Sequence, residues 1–299
     1  MRSDGNFKEL SLRVRDGLRL YARHYPAPGS SRTPVLCLAG LTRNSRDFHD
    51  LASCLSQGAR ARPVYTLDYR GRGKSDWDRN WKNYAVPVEV LDVIDFLAFA
   101  DLKEVAVIGT SRGGLVAMLM AAAQPSSISL LVLNDIGSVI ERDGLMRIAS
   151  YVGRVPLPRD WAEATNIVRD VNKRSFPEIE ERVWEEIARQ WYNEKRGKPA
   201  PGYDPMLRNA LSVLDGPVPE LWPQFEALTR IPLLVVRGEN SDILSARTIE
   251  RMAERHSALE QFTVPKQGHA PLLKDRATQD AIAMFIQRVD DVEEALAAE

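Results

Sequence analysis

The sequence has few cysteines and histidines, two and four in 299 residues, and no long uninterrupted run of apolar residues. Cys37 and Cys54 show neither a disulfide-scaffold nor a metal-ligand spacing, which argues against both kinds of site. The first residues lack a signal-peptide pattern, and no apolar segment has the length needed to cross a bilayer. We therefore expect a cytoplasmic protein that does not act at a membrane.

The sequence also lacks an excess of charge of either sign. The 40 basic and 41 acidic residues are mixed along the chain and leave a net charge of -1. This balance argues against nucleic acid as a partner. No repeat or low-complexity tract occurs, and the ordinary composition suits one large globular domain with an insertion. The expected partner is a small-molecule substrate, and a homodimer is left open.

Apolar runs at regular intervals predict the fold class. Two alternating segments on either side of Asp16-Gly17 indicate a β-hairpin at the start of the chain. Further strands are predicted at 34–40, 63–69, 104–110, 129–135, 232–239 and 260–265, and most are separated by helical patterns. This alternation predicts an α/β fold: an eight-stranded, mostly parallel sheet with helices on both faces.

The segment from 137 to 228 interrupts the alternation. It shows helical patterns, no strand-like run, and four tryptophans that include Trp161 and Trp184. A helical cap inserted after the sixth strand explains this segment better than a loop of that length. We predict a core formed by residues 1–136 and 229–299 and a cap formed by 137–228. Trp161 and Trp184 are candidate substrate-binding residues on the cap.

The motif Gly109-Thr110-Ser111-Arg112-Gly113 lies directly after a predicted strand and directly before a predicted helix. In such a sharp turn the glycines remove Cβ atoms that would clash, and the serine hydroxyl projects beyond the sheet edge. A serine that only caps the helix is the alternative interpretation. The position between strand and helix favours a nucleophile.

A serine nucleophile needs a base, and His269 is the best placed of the four histidines. It follows the last predicted strand in the sequence Gly268-His269, so it can reach the edge of the sheet where Ser111 lies. Asp242, after the preceding strand, is the preferred carboxylate to orient the histidine. Asp135 and Glu239 also lie at strand ends and stay open as alternatives.

These motifs together resemble the α/β-hydrolase superfamily over nearly the whole chain. The segment 68–75 is similar to the family's DxRGxGxS turn, and Gly109–Gly113 to its nucleophile elbow. The resemblance implies an oxyanion hole, for which the backbone N–H groups of Leu41 and Arg112 are candidates. The family's usual His-Gly at the entry to that loop is replaced by Ala39-Gly40.

The expected function is therefore a carboxylesterase-like serine hydrolase that forms an acyl-enzyme and needs no metal or cofactor. Arg43 lies close to the predicted site loops and is a candidate for binding a carboxylate-bearing substrate. A lactonase or a hydrolase of carbon–carbon bonds on such a substrate is the alternative. A protein that binds a ligand without turning it over is the alternative from another class.

Overall fold

The computed structural model describes residues 6–297, and the side chains of all of these except 212–215, 293 and 297. Residues 1–5 and 298–299, at the two ends of the predicted core, lie outside the described residues. The strands in chain order are β1 (Lys8–Arg13), β2 (Arg19–Tyr25), β3 (Val35–Leu38), β4 (Val64–Asp68), β5 (Val105–Thr110), β6 (Ile128–Asn134), β7 (Asn193–Lys195), β8 (Lys198–Ala200), β9 (Leu233–Gly238) and β10 (Leu259–Val264).

Eight of these strands form one sheet in the order β1-β2-β4-β3-β5-β6-β9-β10. The β1–β2 and β2–β4 pairs are antiparallel and the others are parallel. The predicted hairpin turn is present: Gly17 has a φ of 85°, and the Asp16 carboxylate accepts the N–H of Leu18. The prediction of an eight-stranded, mostly parallel sheet is confirmed.

The helices cover both faces of the sheet. In chain order they are α1 (His49–Leu55), α2 (Val86–Phe99), α3 (Arg112–Ala123), α4 (Arg142–Tyr151), α5 (Trp161–Asn172), α6 (Glu181–Trp191), α7 (Trp222–Glu226), α8 (Ala246–Ala253) and α9 (Arg276–Ala297). Short 3₁₀ segments occur at 45–48, 81–83, 125–127 and 205–215. None of the helices in the described residues is long and apolar enough to cross a membrane.

Two hydrophobic clusters lie on opposite faces of the sheet. Along β5, Val105 and Val107 pack with α2 and α3, whereas Ala106 and Ile108 pack with α1 and α9. Successive side chains of a strand point to opposite faces, so a strand that is apolar at every position must be covered on both sides. This burial holds the carboxyl ends of β5, β6, β9 and β10 side by side at one edge.

The segment between β6 and β9 carries α4 to α7. Helices α5 and α6 pack together through a separate apolar cluster that includes Val168, Trp184 and Ile187. The segment also contains the short β7–β8 hairpin, although the sequence pattern indicated no strand there. A three-residue strand is too short to show a period of two, which is why the pattern missed it. The division into a core and a cap at 137 and 228 stays a prediction.

Candidate active site

The turn from β5 to α3 places Ser111 at the edge of the sheet. Ser111 has a φ of 51° and a ψ of -114°, a backbone conformation that non-glycine residues rarely adopt. A Cβ on Gly113 would lie 2.0 Å from the Leu38 carbonyl oxygen, and a Cβ on Gly109 would lie 2.7 Å from backbone atoms of the following helix. Glycine at both positions is therefore what allows the helix to approach the sheet so closely and expose the serine.

His269 lies between Ser111 and a carboxylate. Its Nε2 is 2.8 Å from Ser111 Oγ, and its Nδ1 is 2.8 Å from Asp135 Oδ2. The His269 side chain is 7% exposed and that of Asp135 is 0% exposed. A carboxylate can only accept a hydrogen bond, so it places the imidazole proton on Nδ1 and leaves Nε2 free to accept the serine proton.

The structure corrects the expectation that Asp242 orients the histidine. Asp242 instead forms an ion pair with Arg147 of α4, with N–O distances of 2.5 and 2.8 Å. Partial burial acts to raise the pKa of Asp242, but the hydrogen bond and charge of Arg147 outweigh it and lower that pKa. The other alternative, Glu239, accepts the backbone N–H of Lys266.

Strand order explains why Asp135 occupies this position. Asp135 directly follows β6, which is the neighbour of the strand that carries Ser111, and its φ of 58° turns the chain at that point. Asp242 lies four residues beyond β9, one strand further from the serine. Aspartate is among the residues that tolerate a positive φ best.

Two further donors hold the Asp135 carboxylate in place. The N–H of Gly238 donates to Oδ1 at 2.9 Å, and the hydroxyl of Ser241 donates to Oδ2 at 2.6 Å. The oxygen of Ser241 itself accepts the N–H groups of Ile243 and Leu244, which directs its proton toward Asp135. Sequence reasoning did not single out Ser241, although it lies in the same loop as Asp242.

A buried group of ion pairs lies beneath the two predicted oxyanion donors. Arg72 donates to the carbonyl oxygen of Leu41 at 2.8 Å, and Glu89 pairs with Arg72 at 2.8 Å and with Arg112 at 2.7 Å. Burial acts to raise the pKa of Glu89, but Arg112 and Arg72 outweigh it and lower that pKa. One buried carboxylate therefore links the Leu41 loop to the start of α3.

Above Ser111 and His269 lies a cavity of about 250 Å³. Leu41 and Gly40 form part of its wall on the sheet side. The segment between β6 and β9 supplies most of the remaining wall, which is chiefly apolar and aromatic: Ile148, Tyr151, Val155, Ile167, Val168, Val171, Trp191 and Tyr203. A pocket of this kind favours a small and mainly apolar substrate.

Of the three predicted substrate-binding residues, only Arg43 lines this cavity within the described residues. Trp184 instead is 3% exposed and packs edge to face with Phe176 in the α5–α6 cluster. Trp161 donates its indole N–H to a carbonyl oxygen in the β7–β8 turn. Trp191, at the C-terminal end of α6, lines the cavity in their place; this end of the helix lies against the loop after β3, where Asn44 and Arg46 donate to the carbonyl oxygen of Gln190.

Comparison with known proteins shows the family to which the chain belongs. A family model described as "Alpha/beta hydrolase family" matches residues 35–281. A 3-hydroxybutyrate-oligomer hydrolase from Cupriavidus necator is 32% identical in an alignment of length 281, which covers 89% of this chain and 92% of that protein. The chain therefore belongs to the α/β-hydrolase family, and hydrolase activity is supported by the family and by the relative's name.

Solved structures show the same fold. A crystal structure of an alpha/beta hydrolase from Novosphingobium aromaticivorans has a TM-score of 0.88 and 37% identity, and the match covers 96% of this chain and all of that one. The structure of E-2-(acetamidomethylene)succinate hydrolase has a TM-score of 0.77 and 23% identity, with 94% and 100% coverage. The second likeness is one of fold alone.

Proposed function

We propose that this protein is a serine hydrolase of small carboxylic esters, with Ser111 as nucleophile, His269 as general base and Asp135 as the carboxylate that orients the base. The observation that carries the proposal is the pair of 2.8 Å contacts that joins these three side chains at the base of a cavity. The distances lie within the range for proton transfer between a nucleophile and its base.

The reaction follows from this arrangement. His269 Nε2 removes the proton as Ser111 Oγ attacks the ester carbonyl, and the negatively charged Asp135 stabilises the resulting imidazolium. We assign the N–H groups of Leu41 and Arg112 as donors to the tetrahedral oxyanion. His269 then protonates the leaving alcohol, and water attacks the acyl-enzyme with His269 again as base. Water thus enters as the second substrate, and the acid is released from Ser111.

The cavity supports a short substrate. Its volume of about 250 Å³ is below the ~300–1,000 Å³ of sites that enclose drug-sized ligands. One relative is named a 3-hydroxybutyrate-oligomer hydrolase, and the units of such an oligomer are small hydroxy acids joined by ester bonds. We therefore propose short esters of hydroxy acids as the substrate class, and residues 137–228 as a cap that selects among them.

Covalent labelling tests the nucleophile. A fluorophosphonate should add mass at Ser111 in the wild-type protein and not in Ser111→Ala, and His269→Ala should label several orders of magnitude more slowly. The exposed Ser31→Ala is a matched control that should label like the wild type. A natively folded wild-type protein that fails to label would overturn the proposal in favour of ligand binding without turnover.

Substrate screening tests the bond that is cleaved. Purified protein should hydrolyse 3-hydroxybutyrate dimers and short p-nitrophenyl esters, with activity that depends on Ser111. Lactones and dienol-type diketones belong in the same panel. A much higher kcat/KM for either of these would contradict the ester assignment and identify a lactonase or a carbon–carbon bond hydrolase.

A further inference from the structure

The cavity contains a guanidinium group that the proposed mechanism does not use. Arg43 follows Gly40 closely in the loop after β3, and its N–H donates to the Gly40 carbonyl oxygen. A Cβ built on Gly40 would lie 3.4 Å from Arg43 Cγ and 3.8 Å from Ser111 Cβ. The side chain of Arg43 therefore starts next to the nucleophile and lies in the wall of the same cavity.

Two neighbours fix the plane of this guanidinium. Its Cζ lies 3.5 Å from the centre of the Trp191 ring, and its Nε lies 2.6 Å from Asp47 Oδ2. Stacking on the ring and an ion pair at one edge together restrict the rotation of a side chain that is otherwise flexible. The group is thus held in one orientation before any ligand binds.

The other edge of the guanidinium has no protein partner. Neither terminal amino group of Arg43 forms a hydrogen bond with the residues that the structure describes, while the side chain is only 21% exposed. Both amino groups are therefore available to a ligand in this mainly apolar cavity. A ligand that brings two acceptor oxygens would satisfy both.

The negative charge of Asp47 affects which ligand can bind to the Arg43 guanidinium. Asp47 also lines the cavity and offsets the charge of Arg43, but it faces the Nε edge and leaves the edge formed by the two amino groups open. A carboxylate bound at the open edge accepts two parallel hydrogen bonds, which are stronger than those of a neutral carbonyl. Tyr151 also lines the cavity and carries a hydroxyl donor, and burial raises its pKa further above neutrality.

We propose that the amino-group edge of Arg43 is a carboxylate-binding subsite, so that the preferred ester carries a free carboxylate near the bond that is cleaved. This inference rests on the proposed esterase function and names its substrate class more closely. Arg43 and Ser111 both border Gly40. One small molecule can therefore place its ester carbonyl at Ser111 and its carboxylate at Arg43. A two-unit ester of a hydroxy acid has this form, with an ester bond and a terminal carboxylate a short carbon chain apart.

Paired substrates test the subsite. The 3-hydroxybutyrate dimer is compared with its primary amide, which has the same shape and no charge. The wild type should show a kcat/KM at least ~10-fold higher for the carboxylate, which corresponds to about 1.4 kcal/mol, since two charge-assisted hydrogen bonds replace neutral ones. Arg43→Gln should lose about 10-fold to 100-fold on the carboxylate and less than about 3-fold on the amide.

Two variants separate binding from folding. Arg43→Lys keeps the charge without the planar pair of donors and should give an intermediate preference. The exposed Arg174→Gln is a matched control for loss of one positive charge and should behave like the wild type. In the Ser111→Ala background, calorimetry should show tighter binding of the carboxylate dimer than of its amide, and added Arg43→Gln should abolish that difference.

Two results would overturn the subsite. One is a wild-type kcat/KM that is equal for the carboxylate and the amide, and the other is an equal loss on both substrates in Arg43→Gln. Failure of the underlying esterase proposal is recognised separately, because p-nitrophenyl butyrate carries no carboxylate. If the protein hydrolyses that ester through Ser111 while showing no carboxylate preference, only the subsite is wrong.

Discussion

Asp135→Asn tests the position of the orienting carboxylate because the structure dictates which way the new amide points. The Gly238 N–H that donates to Oδ1 is fixed by the backbone, whereas the Ser241 hydroxyl that donates to Oδ2 can rotate, so the amide oxygen takes the Oδ1 position and the amide nitrogen faces His269. An N–H group facing Nδ1 forces the imidazole proton onto Nε2. His269 then donates to Ser111 and can no longer accept its proton.

The expected loss is on the order of 10³-fold to 10⁴-fold in kcat, as for the same change in a serine protease triad. The flipped amide would restore the correct tautomer, but it would turn an N–H toward the N–H of Gly238. Leaving that buried donor unsatisfied costs about 1–3 kcal/mol, so the flipped form is disfavoured by about 5-fold to 150-fold. The imidazolium also loses a fully buried counter-charge.

Asp242→Asn is the matched control, because it makes the same substitution in the aspartate that the sequence pattern favoured as the orienting carboxylate. It removes only the partly exposed ion pair with Arg147, whose contribution is about 1 kcal/mol or less after screening. We expect kcat within about 5-fold of the wild type. Hydrolysis of p-nitrophenyl butyrate at saturating substrate measures both variants, and urea unfolding confirms that both are folded. A severe loss in Asp242→Asn together with near-normal Asp135→Asn would refute the assignment.

Two further changes test the supporting structure. Glu89→Gln leaves Arg72 and Arg112 without their buried counter-charge and should cost about 3–5 kcal/mol in urea unfolding at pH 7. Because the pKa of Glu89 is lowered in the folded protein, its stabilisation is fully present above the unfolded value of ~4.3 and is lost as the pH falls through the lower folded value. This difference should therefore shrink progressively as the pH is lowered below ~4.3. Trp184→Ala should destabilise the protein by about 3–5 kcal/mol, whereas the rate of fluorophosphonate labelling at Ser111 in folded protein should change less than about 3-fold.

The local sequence determined the elements of the fold and two members of the candidate site. Strands that are apolar at every position predict a sheet covered on both faces, and the observed strands of the sheet lie where the pattern placed them. The environment of Ser111 is encoded within Gly109–Gly113, and His269 lies in the loop that follows the last strand. Short-range geometry of this kind is readable because the interacting atoms belong to neighbouring residues.

The tertiary structure decided which side chains meet. Asp135 and Asp242 both follow strands that end at the same edge, so chain order alone could not separate them. Asp135 meets His269 because β6 is next to β5 and because the positive φ of Asp135 turns the chain there. Asp242 is instead paired with Arg147. Trp191, rather than Trp161 or Trp184, reaches the cavity because the C-terminal end of α6 lies against the loop after β3, where Asn44 and Arg46 donate to the Gln190 carbonyl oxygen. Some of these contacts join residues more than a hundred positions apart. Their geometry depends on how the elements are oriented in space, and a one-dimensional pattern does not contain that information.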